Sequence, residues 1–342
     1  MIPSEAFKES LRVFLEPIGA LMADPDVGEI MINGPSNIWV ERKGRIEKTD
    51  AAFKNRIALE AALTNIAQFV GRPFGPDRPI LEAHLPDGSR VEAVLDPVAE
   101  GGPIAAIRRF SHTPLTLDML IRSGSLTQEA AKYLAACVTH KKNIVISGGT
   151  GTGKTSLLNA LSSLIRDDER IVVIEDTREV QLQKPHAVYL ETRAPDERGR
   201  GRITIRDLLR ATLRLRPDRI VVGEVRGAEA LDLLQAMTSG HGGSLTTAHA
   251  NTPLDALRRL ETMAMMDDSQ FPLSALRAQT ASAVHLIIQI ERTASGRRRV
   301  SEIARVGALS ANGEYTAHPV FRAGPSDEEP LDRVDKKTGG TP

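Results

Sequence analysis

The chain has 342 residues, of which 41% are hydrophobic and 26% are charged, and this suits two folded domains with a short tail. Lysine plus arginine and aspartate plus glutamate both total 44, so the formal net charge of zero argues against binding nucleic acid by bulk electrostatics. Cys137 is the only cysteine, which excludes an intramolecular disulfide and a four-cysteine zinc site. We expect it to be a small buried residue of a helix over 127–139.

The N-terminus and the hydropathy of the chain bear on its location. The first ten residues lack a basic region followed by an apolar core, which argues against a signal peptide. No apolar run approaches the ~18 residues that a membrane-spanning helix needs. We therefore expect a cytoplasmic protein whose contact with any membrane is peripheral.

The first 110 residues are predicted to form a small α+β domain. Short strands and one helix are expected in it, at 29–33, 38–42, 57–69 (the helix), 90–95 and 103–110. Residues 111–126 contain Pro114 and Gly124 and show little periodicity, so we place an interdomain linker there.

Residues 127–312 are predicted to form a second, α/β domain. Buried strands alternate with helices in it, which favours a largely parallel sheet with apolar strands at 143–146, 171–174, 220–222 and 243–247. A hairpin is expected from strands at 284–290 and 298–303. Residues 313–342 are predicted to be a largely disordered tail, because Leu331 and Val334 are the only large apolar residues from Pro325 onward.

The segment GGTGTGKT at 148–155 matches the phosphate-binding motif G-x-x-x-x-G-K-[ST] between a predicted strand and a helix that starts at Ser156. Backbone N–H groups of such a loop and the helix N-terminus converge on phosphate oxygens. Lys154 is expected to reach the β- and γ-phosphates and the Thr155 hydroxyl to bind Mg²⁺, so ATP and Mg²⁺ are the expected cofactors. The predicted nucleotide-binding residues are Gly148, Gly149, Thr150, Gly151, Thr152, Gly153, Lys154, Thr155 and Ser156.

Two carboxylates follow predicted buried strands, where a hydrolysing site needs one to position Mg²⁺ or to activate water. Glu224 follows the strand at 220–222, and Glu175 with Asp176 follows the strand at 171–174. Gly223 stands where other P-loop ATPases usually carry an aspartate, so we expect Glu224 to act on Mg²⁺ through water. Both glutamates are candidate catalytic residues, and capping of a helix or solvation of a loop is the alternative for each.

Histidines and arginines supply further candidates. His241 and His249 flank a short strand in the segment at 238–251, and His249, at the end of the strand, is the candidate for contacting the γ-phosphate. An ordinary hydrogen-bonding role in a loop is the alternative, and two histidines without a nearby cysteine make a poor zinc site. Four arginines recur every four residues around a predicted helix: Arg202, Arg206, Arg210 and Arg214. We expect them to face either an anion, such as an acidic surface of another subunit, or solvent.

Together these segments resemble the type II/IV secretion traffic ATPases, most closely the TrbB-like ATPases of conjugal transfer. The family's Walker A, Asp box, Walker B and His box are matched in order by GGTGTGKT at 148–155, IEDTREV at 174–180, LRLRPDRIVVGEVRG at 213–227 and TSGHGGSLTTAHAN at 238–251. The resemblance implies a RecA-like motor domain, a PAS-like N-terminal domain and a homo-hexameric ring. It also implies that the ring works beside a channel, at the cytoplasmic face of the inner membrane.

The resemblance further implies that the nucleotide lies between the two domains. Arg90 and Arg108 match the positions from which arginines of the first domain reach the phosphates, with Arg109 as the alternative to Arg108.

The predicted function is a motor ATPase of a conjugal-transfer, or type IV secretion, system, which couples ATP hydrolysis to substrate transfer or pilus assembly. An ATPase of a type IV or tight-adherence pilus is the alternative within the same class. A nucleic-acid motor is a more distant alternative, because zero net charge and an aromatic content of 4% provide no stacking platform for single strands.

Overall fold

The computed structural model describes residues 4–42, 44–109, 115–195, 199–267, 271–327 and 329–334. The chain divides into two compact units, Met1–Thr113 and Pro114–Pro342. No helix within the described ranges combines the length and the apolar character that crossing a membrane requires.

Within its described residues, the first unit consists of an antiparallel sheet and three helices. Its six strands lie in the order β3-β2-β1-β6-β5-β4. Its elements are α1 (Ser4–Phe14), α2 (Glu16–Ala23), β1 (Val27–Asn33), β2 (Ile38–Arg42), β3 (Arg45–Lys48), α3 (Arg56–Phe69), β4 (Ile80–His84), β5 (Arg90–Val94) and β6 (Ile104–Arg108). Alternate residues of β1, such as Ile30 and Ile32, share a buried core with Leu59 and Leu63 of α3. The predicted α+β character of residues 1–110 is therefore present.

The second unit has a nine-stranded sheet in the order β15-β14-β13-β12-β7-β11-β10-β8-β9. Its helices are α4 (Leu117–Arg122), α5 (Gln128–Thr139), α6 (Lys154–Ser162), α7 (Ile205–Thr212), α8 (Glu229–Thr238), α9 (Pro253–Ala264) and α10 (Leu273–Ala283). Its strands are β7 (Ile144–Gly148), β8 (Ile171–Glu175), β9 (Ala187–Glu191), β10 (Arg219–Val222), β11 (Leu245–Ala248), β12 (Leu286–Arg292), β13 (Arg298–Val306), β14 (Ala317–Ala323) and β15 (Leu331–Arg333).

Apolar layers cover both faces of the parallel part of this sheet. Strands β7 to β12 pair in parallel, and β13 to β15 extend the sheet in antiparallel fashion. Along β7, Ile144 and Ile146 enter the core that includes α5 and α6, whereas Val145 enters the opposite core, which includes α8 and α9. Burial on both faces explains why these strands appear in the sequence as continuous apolar runs, and the predicted α/β class is confirmed.

The predicted interdomain linker differs from the sequence expectation. The predicted linker at 111–126 contains helix α4, whose N-cap Thr116 accepts a hydrogen bond from the Met119 N–H at 3.3 Å. Residues 110–114 lie outside the described ranges.

Cys137 is 2% exposed in α5, as the sequence predicts, and burial raises the pKa of its thiol to about 11.

The prediction of a largely disordered tail at 313–342 is wrong for the strands β14 and β15. Phe321 is fully buried and Leu331 is 5% exposed, and both belong to the core on the α5 side of the sheet. The Leu331 carbonyl also accepts a hydrogen bond from the Thr127 hydroxyl at 3.1 Å. A segment poor in apolar residues is ordered here because an existing sheet edge supplies its backbone partners. Residues 335–342 lie outside the described ranges.

Replacing Leu331 with alanine is therefore expected to lower the free energy of unfolding by about 2–3 kcal/mol, because the change leaves a cavity under the last strand. Urea unfolding followed by circular dichroism measures the loss. Val334→Ala is the matched control, since Val334 is 51% exposed and only three residues away. Equal stability of Leu331→Ala and the unaltered chain would mean that β15 contributes nothing to this core.

Candidate functional site

The phosphate-binding motif lies in the strand–loop–helix setting that its sequence predicts. Strand β7 ends at Gly148, and α6 begins at Lys154, two residues earlier than predicted. Gly153 caps the helix with φ 97°, a backbone conformation that favours glycine. A Cβ at Gly148 would collide with the carbonyl oxygen of Ile290 in β12. The loop therefore needs glycine at both of its ends.

Lys154 lies inside the curve of this loop. The residue is 8% exposed, and its amine donates hydrogen bonds to the carbonyl oxygens of Gly148 at 3.1 Å and Gly149 at 2.8 Å. The Thr152 hydroxyl donates to the same Gly149 oxygen at 2.9 Å. The loop thus holds a cation at its centre, beside the N-terminus of α6, where partial positive charge already favours anions.

His249 joins this lysine to Glu224. Its Nε2 lies 2.9 Å from Glu224 Oε1, and its Nδ1 lies 3.5 Å from Lys154 Nζ. Burial, and next the Lys154 charge, lower the pKa of the imidazole, so the neutral ring predominates at pH 7. Because an ammonium group can only donate, Nδ1 accepts from Lys154, and the proton on Nε2 is donated to Glu224. The histidine therefore links the cation of the loop to the carboxylate.

The second oxygen of Glu224 is also engaged. Arg226 Nη2 donates a hydrogen bond to Glu224 Oε2 at 2.8 Å. Arg226 belongs to the segment at 213–227 that matches the Walker B motif, but the sequence alone predicted no role for it. Strands β10 and β11 pair in parallel and β11 pairs with β7, so Glu224, His249 and the loop all follow the carboxyl ends of adjacent strands. This topology brings Glu224 and His249 to Lys154. His241 precedes β11 and so lies at its opposite end.

Glu175 is the most enclosed carboxylate of the site. It is 5% exposed, and its oxygens accept hydrogen bonds from the N–H groups of Glu179 at 3.1 Å and Val180 at 3.0 Å. Burial raises its pKa to about 7, although these hydrogen bonds act in the opposite direction. A Cβ at Gly223 would lie 2.7 Å from Glu175 Cγ, which gives a steric reason for glycine at this position.

Glu179 is a site residue that the sequence reasoning missed. Its Oε2 accepts a hydrogen bond from the Thr155 hydroxyl at 3.3 Å, and the neighbouring Gln181 N–H donates to Asn159 of α6 at 2.9 Å. These two hydrogen bonds hold the loop after β8 against the first turns of α6. The available signal for Glu179 was its place in the segment IEDTREV, four residues after Glu175.

The oxygen atoms near Thr155 fit a hard cation. Mg²⁺ at nucleotide sites is typically bound by one or two protein oxygens together with substrate phosphates. The Thr155 hydroxyl and the Glu179 carboxylate provide such oxygens, and Glu224 lies just after the end of β10. Within the described ranges, no group of three or more His, Cys, Asp or Glu side chains could hold a metal without further ligands.

A cavity of about 400 Å³ opens beside the start of the loop. His249, which contacts both Lys154 and Glu224, is one of the residues that line it. Its lining comprises Gly148, Gly149, Thr150, His249, Ala250, Asn251, Asp255 and Arg259.

The buried glutamate predicts a pH dependence of stability. The carboxyl group of Glu175 titrates near pH 7 in the folded chain and near 4.5 when unfolded, so the folded chain binds the extra proton between these values. Stability from this group is therefore lost as the pH rises from about 4.5 to 7, by roughly 3 kcal/mol at about 1.4 kcal/mol per pKa unit.

Urea unfolding between pH 5 and pH 8 checks this expectation. We expect the unaltered chain to lose about that much stability relative to Glu175→Gln, which carries no titrating group. Glu129→Gln, an exposed glutamate of α5, is the control and should keep the slope of the unaltered chain. Parallel pH profiles for the chain and Glu175→Gln would contradict the raised pKa.

The two arginines expected from the first unit are neighbours in its sheet. Arg90 of β5 and Arg108 of β6 are paired directly across the antiparallel ladder, so they share one face. Arg90 forms an ion pair with Glu82 at 2.7 Å. Arg109 instead donates to the backbone carbonyl of Asp24 within its own unit. Of the adjacent pair, Arg108 is therefore the residue that stands beside Arg90.

The row of arginines around α7 has acidic partners within the chain. Arg206 pairs with Asp232 at 2.7 Å and also with Asp267, and Arg210 pairs with Asp232 at 3.0 Å. The helix opens with the predicted capping box of Thr204 and Asp207. An acidic face of another subunit is thus not needed to explain Arg206 and Arg210.

Comparison with known proteins gives concordant matches along the chain. The sequence model of a family described as type II/IV secretion system protein matches residues 14–321. Conjugal transfer protein TrbB of Rhizobium radiobacter is 38% identical over 86% of this chain and 88% of its own. Type IV secretion system protein PtlH of Bordetella pertussis is 35% identical over 86% of this chain and 94% of its own.

A solved structure shares the fold. The ATPase DotB of Legionella pneumophila superposes with a TM-score of 0.63 at 22% identity, covering 86% of this chain and 80% of its own.

Proposed function

The chain belongs to the type II/IV secretion system protein family, and on this basis we propose that it is an ATPase motor of a type IV secretion system serving conjugal transfer. The observation that carries the proposal is the meeting of Lys154, His249 and Glu224 at the carboxyl ends of adjacent parallel strands. Ligands of open α/β sheets bind at this edge. The curated relatives that cover most of both chains carry names from conjugal transfer and type IV secretion, which supports the type of system.

The proposed chemistry assigns one task to each side chain. Lys154 offsets the charge of the β- and γ-phosphates, and the N–H groups of residues 149–154 bind their oxygens. Glu224 accepts the proton of the attacking water, and His249 holds that carboxylate through Nε2–H. Thr155 would hold Mg²⁺ directly and Glu224 would hold it through water, with Glu179 close to the Thr155 hydroxyl. The ion would neutralise phosphate charge. Buried Glu175 orients the loop that carries Glu179.

The proposal extends to the architecture that the sequence resemblance implies. The second unit serves as a RecA-like motor domain and the first as a PAS-like domain, and six copies form a ring. The ring works at the cytoplasmic face of the inner membrane, where channel components of the secretion system are its partners. The matches along most of the chain to a conjugal transfer protein and a type IV secretion system protein support this assignment.

Arg90 and Arg108 complete the proposed site as cations for the phosphates. Two arginines directly opposite on neighbouring strands repel each other, and an anionic ligand relieves this cost. Arg90 is partly neutralised by Glu82, whereas the described residues provide Arg108 with no ion pair, so Arg108 is the stronger candidate.

The test measures release of inorganic phosphate from Mg-ATP over a dilution series while sedimentation reports assembly. We expect specific activity to rise with concentration as rings form. Arg108→Ala should lower turnover at least about tenfold without dissociating the ring, since an added arginine strongly promotes phosphoryl transfer. Arg45→Ala, an exposed arginine of β3, is the control. Constant specific activity across ring dissociation would refute the assembly part of the proposal.

The alternatives from the sequence have separate tests. Stimulation of hydrolysis by single-stranded DNA would favour a nucleic-acid motor, and none is expected. A role in pilus assembly would appear as loss of pili, with conjugal transfer intact, when the gene is deleted.

A further inference from the structure

Arg259 is a charged residue at the edge of the site that the mechanism above does not use. It lies on α9, in the cavity that also exposes Gly148, Gly149 and Thr150 of the phosphate-binding loop. His249 lines the same cavity and contacts both Lys154 and Glu224. The cavity therefore opens on the side of the loop where the terminal phosphate is expected.

The electrostatics of this corner favour an anion. Three cations are gathered here: Lys154 Nζ lies 3.5 Å from His249 Nδ1, Arg226 pairs with Glu224 at 2.8 Å, and Arg259 lines the same cavity as His249. Asp255 also lines the cavity, but its carboxylate lies 3.9 Å from Arg258. Among the described residues, no carboxylate lies within ion-pair distance of Arg259.

The neighbouring Arg258 provides a direct comparison. Both arginines are exposed on α9, whose buried side is formed by Ala256, Leu257 and Leu260. Arg258 does not line the cavity and is the arginine near Asp255. The two adjacent side chains thus differ in whether they face the site.

We propose that Arg259 binds the terminal phosphate of the nucleotide and so makes the site prefer ATP to ADP. This inference rests on the proposed function, because it places a further ligand at the same site. A planar guanidinium with several N–H donors suits a phosphate group, and the contact disappears when the terminal phosphate leaves. Arg259 then reports from α9 whether the nucleotide is a triphosphate.

Calorimetric titration of the full chain with Mg²⁺ and either adenosine 5′-(β,γ-imido)triphosphate or ADP tests the inference. Arg259→Ala is expected to raise the Kd for the triphosphate analogue about tenfold, as loss of a charge-assisted hydrogen bond predicts, and to leave the Kd for ADP within about twofold. Arg259→Lys should recover part of the loss. Arg258→Ala, the matched control, should leave both constants unchanged.

The inference is overturned if Arg259→Ala weakens the binding of both nucleotides equally, or of neither. It is also overturned if Arg258→Ala has the same effect as Arg259→Ala. Arg259→Lys guards against misfolding of the alanine variant, because its triphosphate Kd must fall between those of the unaltered chain and Arg259→Ala. Failure of the unaltered chain to bind either nucleotide would instead refute the proposed function itself, together with this inference.

Discussion

Replacing Lys154 with alanine is expected to reduce ATP hydrolysis by about 10²- to 10³-fold, the loss typical when one preorganised charge-stabilising group is removed. The amine is nearly buried and is held at the centre of the loop by the Gly148 and Gly149 carbonyl oxygens. A cation fixed in this way needs little reorganisation when charge develops on the transferring phosphoryl group. Phosphate release from Mg-ATP at saturating nucleotide measures the loss.

Lys132→Ala is the control for this variant, because Lys132 is an exposed lysine of α5. It should hydrolyse ATP at the rate of the unaltered chain. Hydrolysis by Lys154→Ala within about fivefold of that rate would mean that the loop does not carry the chemistry.

Glu224→Gln is expected to bind Mg-ATP with nearly unchanged affinity and to hydrolyse it about 10²- to 10⁴-fold more slowly, the range for loss of a general base. An amide oxygen can still accept the proton of His249 Nε2, so the link from Lys154 through His249 should survive, whereas the hydrogen bond from Arg226 is lost because the amide nitrogen only donates. What the amide cannot do is take a proton from water. Equilibrium titration and steady-state turnover on the same preparation measure the two quantities separately.

The matched control is Glu129→Gln, an exposed carboxylate of α5. If Glu224→Gln loses affinity and turnover together, Glu224 has a structural role or binds the metal directly. In either case the proposed assignment of the base would be wrong.

The parallel sheet was predictable because its strands are buried on both faces. Runs such as 171–174 and 220–222 have no polar alternation, and the structure places them in adjacent strands β8 and β10. Strand β9 escaped prediction because its residues 187–190 are only partly buried. The helices α1 and α2 and the short β3 were also missed, and β3 is exposed along its whole length, so no periodicity marks it.

The tail shows a different limit of sequence reasoning. Composition reveals how much apolar surface a segment can bury on its own, and from 325 onward that amount is small. Strands β14 and β15 are nevertheless ordered because β14 pairs with the edge strand β13 and β15 pairs with β14. Phe321 and Leu331 pack into the hydrophobic core that the rest of the unit already forms. Such long-range partners are not visible in local composition.

The site was partly predictable for a topological reason. The loop at 148–155, Glu224 and His249 follow strands that pair in parallel, and this brings them together. Contacts that run between loops were not predictable: neither the Thr155–Glu179 hydrogen bond nor the Arg226–Glu224 pair follows from spacing. The chain partners of Arg206 and Arg210 were likewise unforeseen, because Asp232 lies on another helix.

The most direct test of the central claim is the steady-state release of inorganic phosphate when the purified full chain is given Mg-ATP. We predict sustained turnover that stops when EDTA removes the divalent cation and that is lost in Lys154→Ala. A chain that binds Mg-ATP but releases phosphate no faster than Lys154→Ala would contradict the claim that this site is an ATPase.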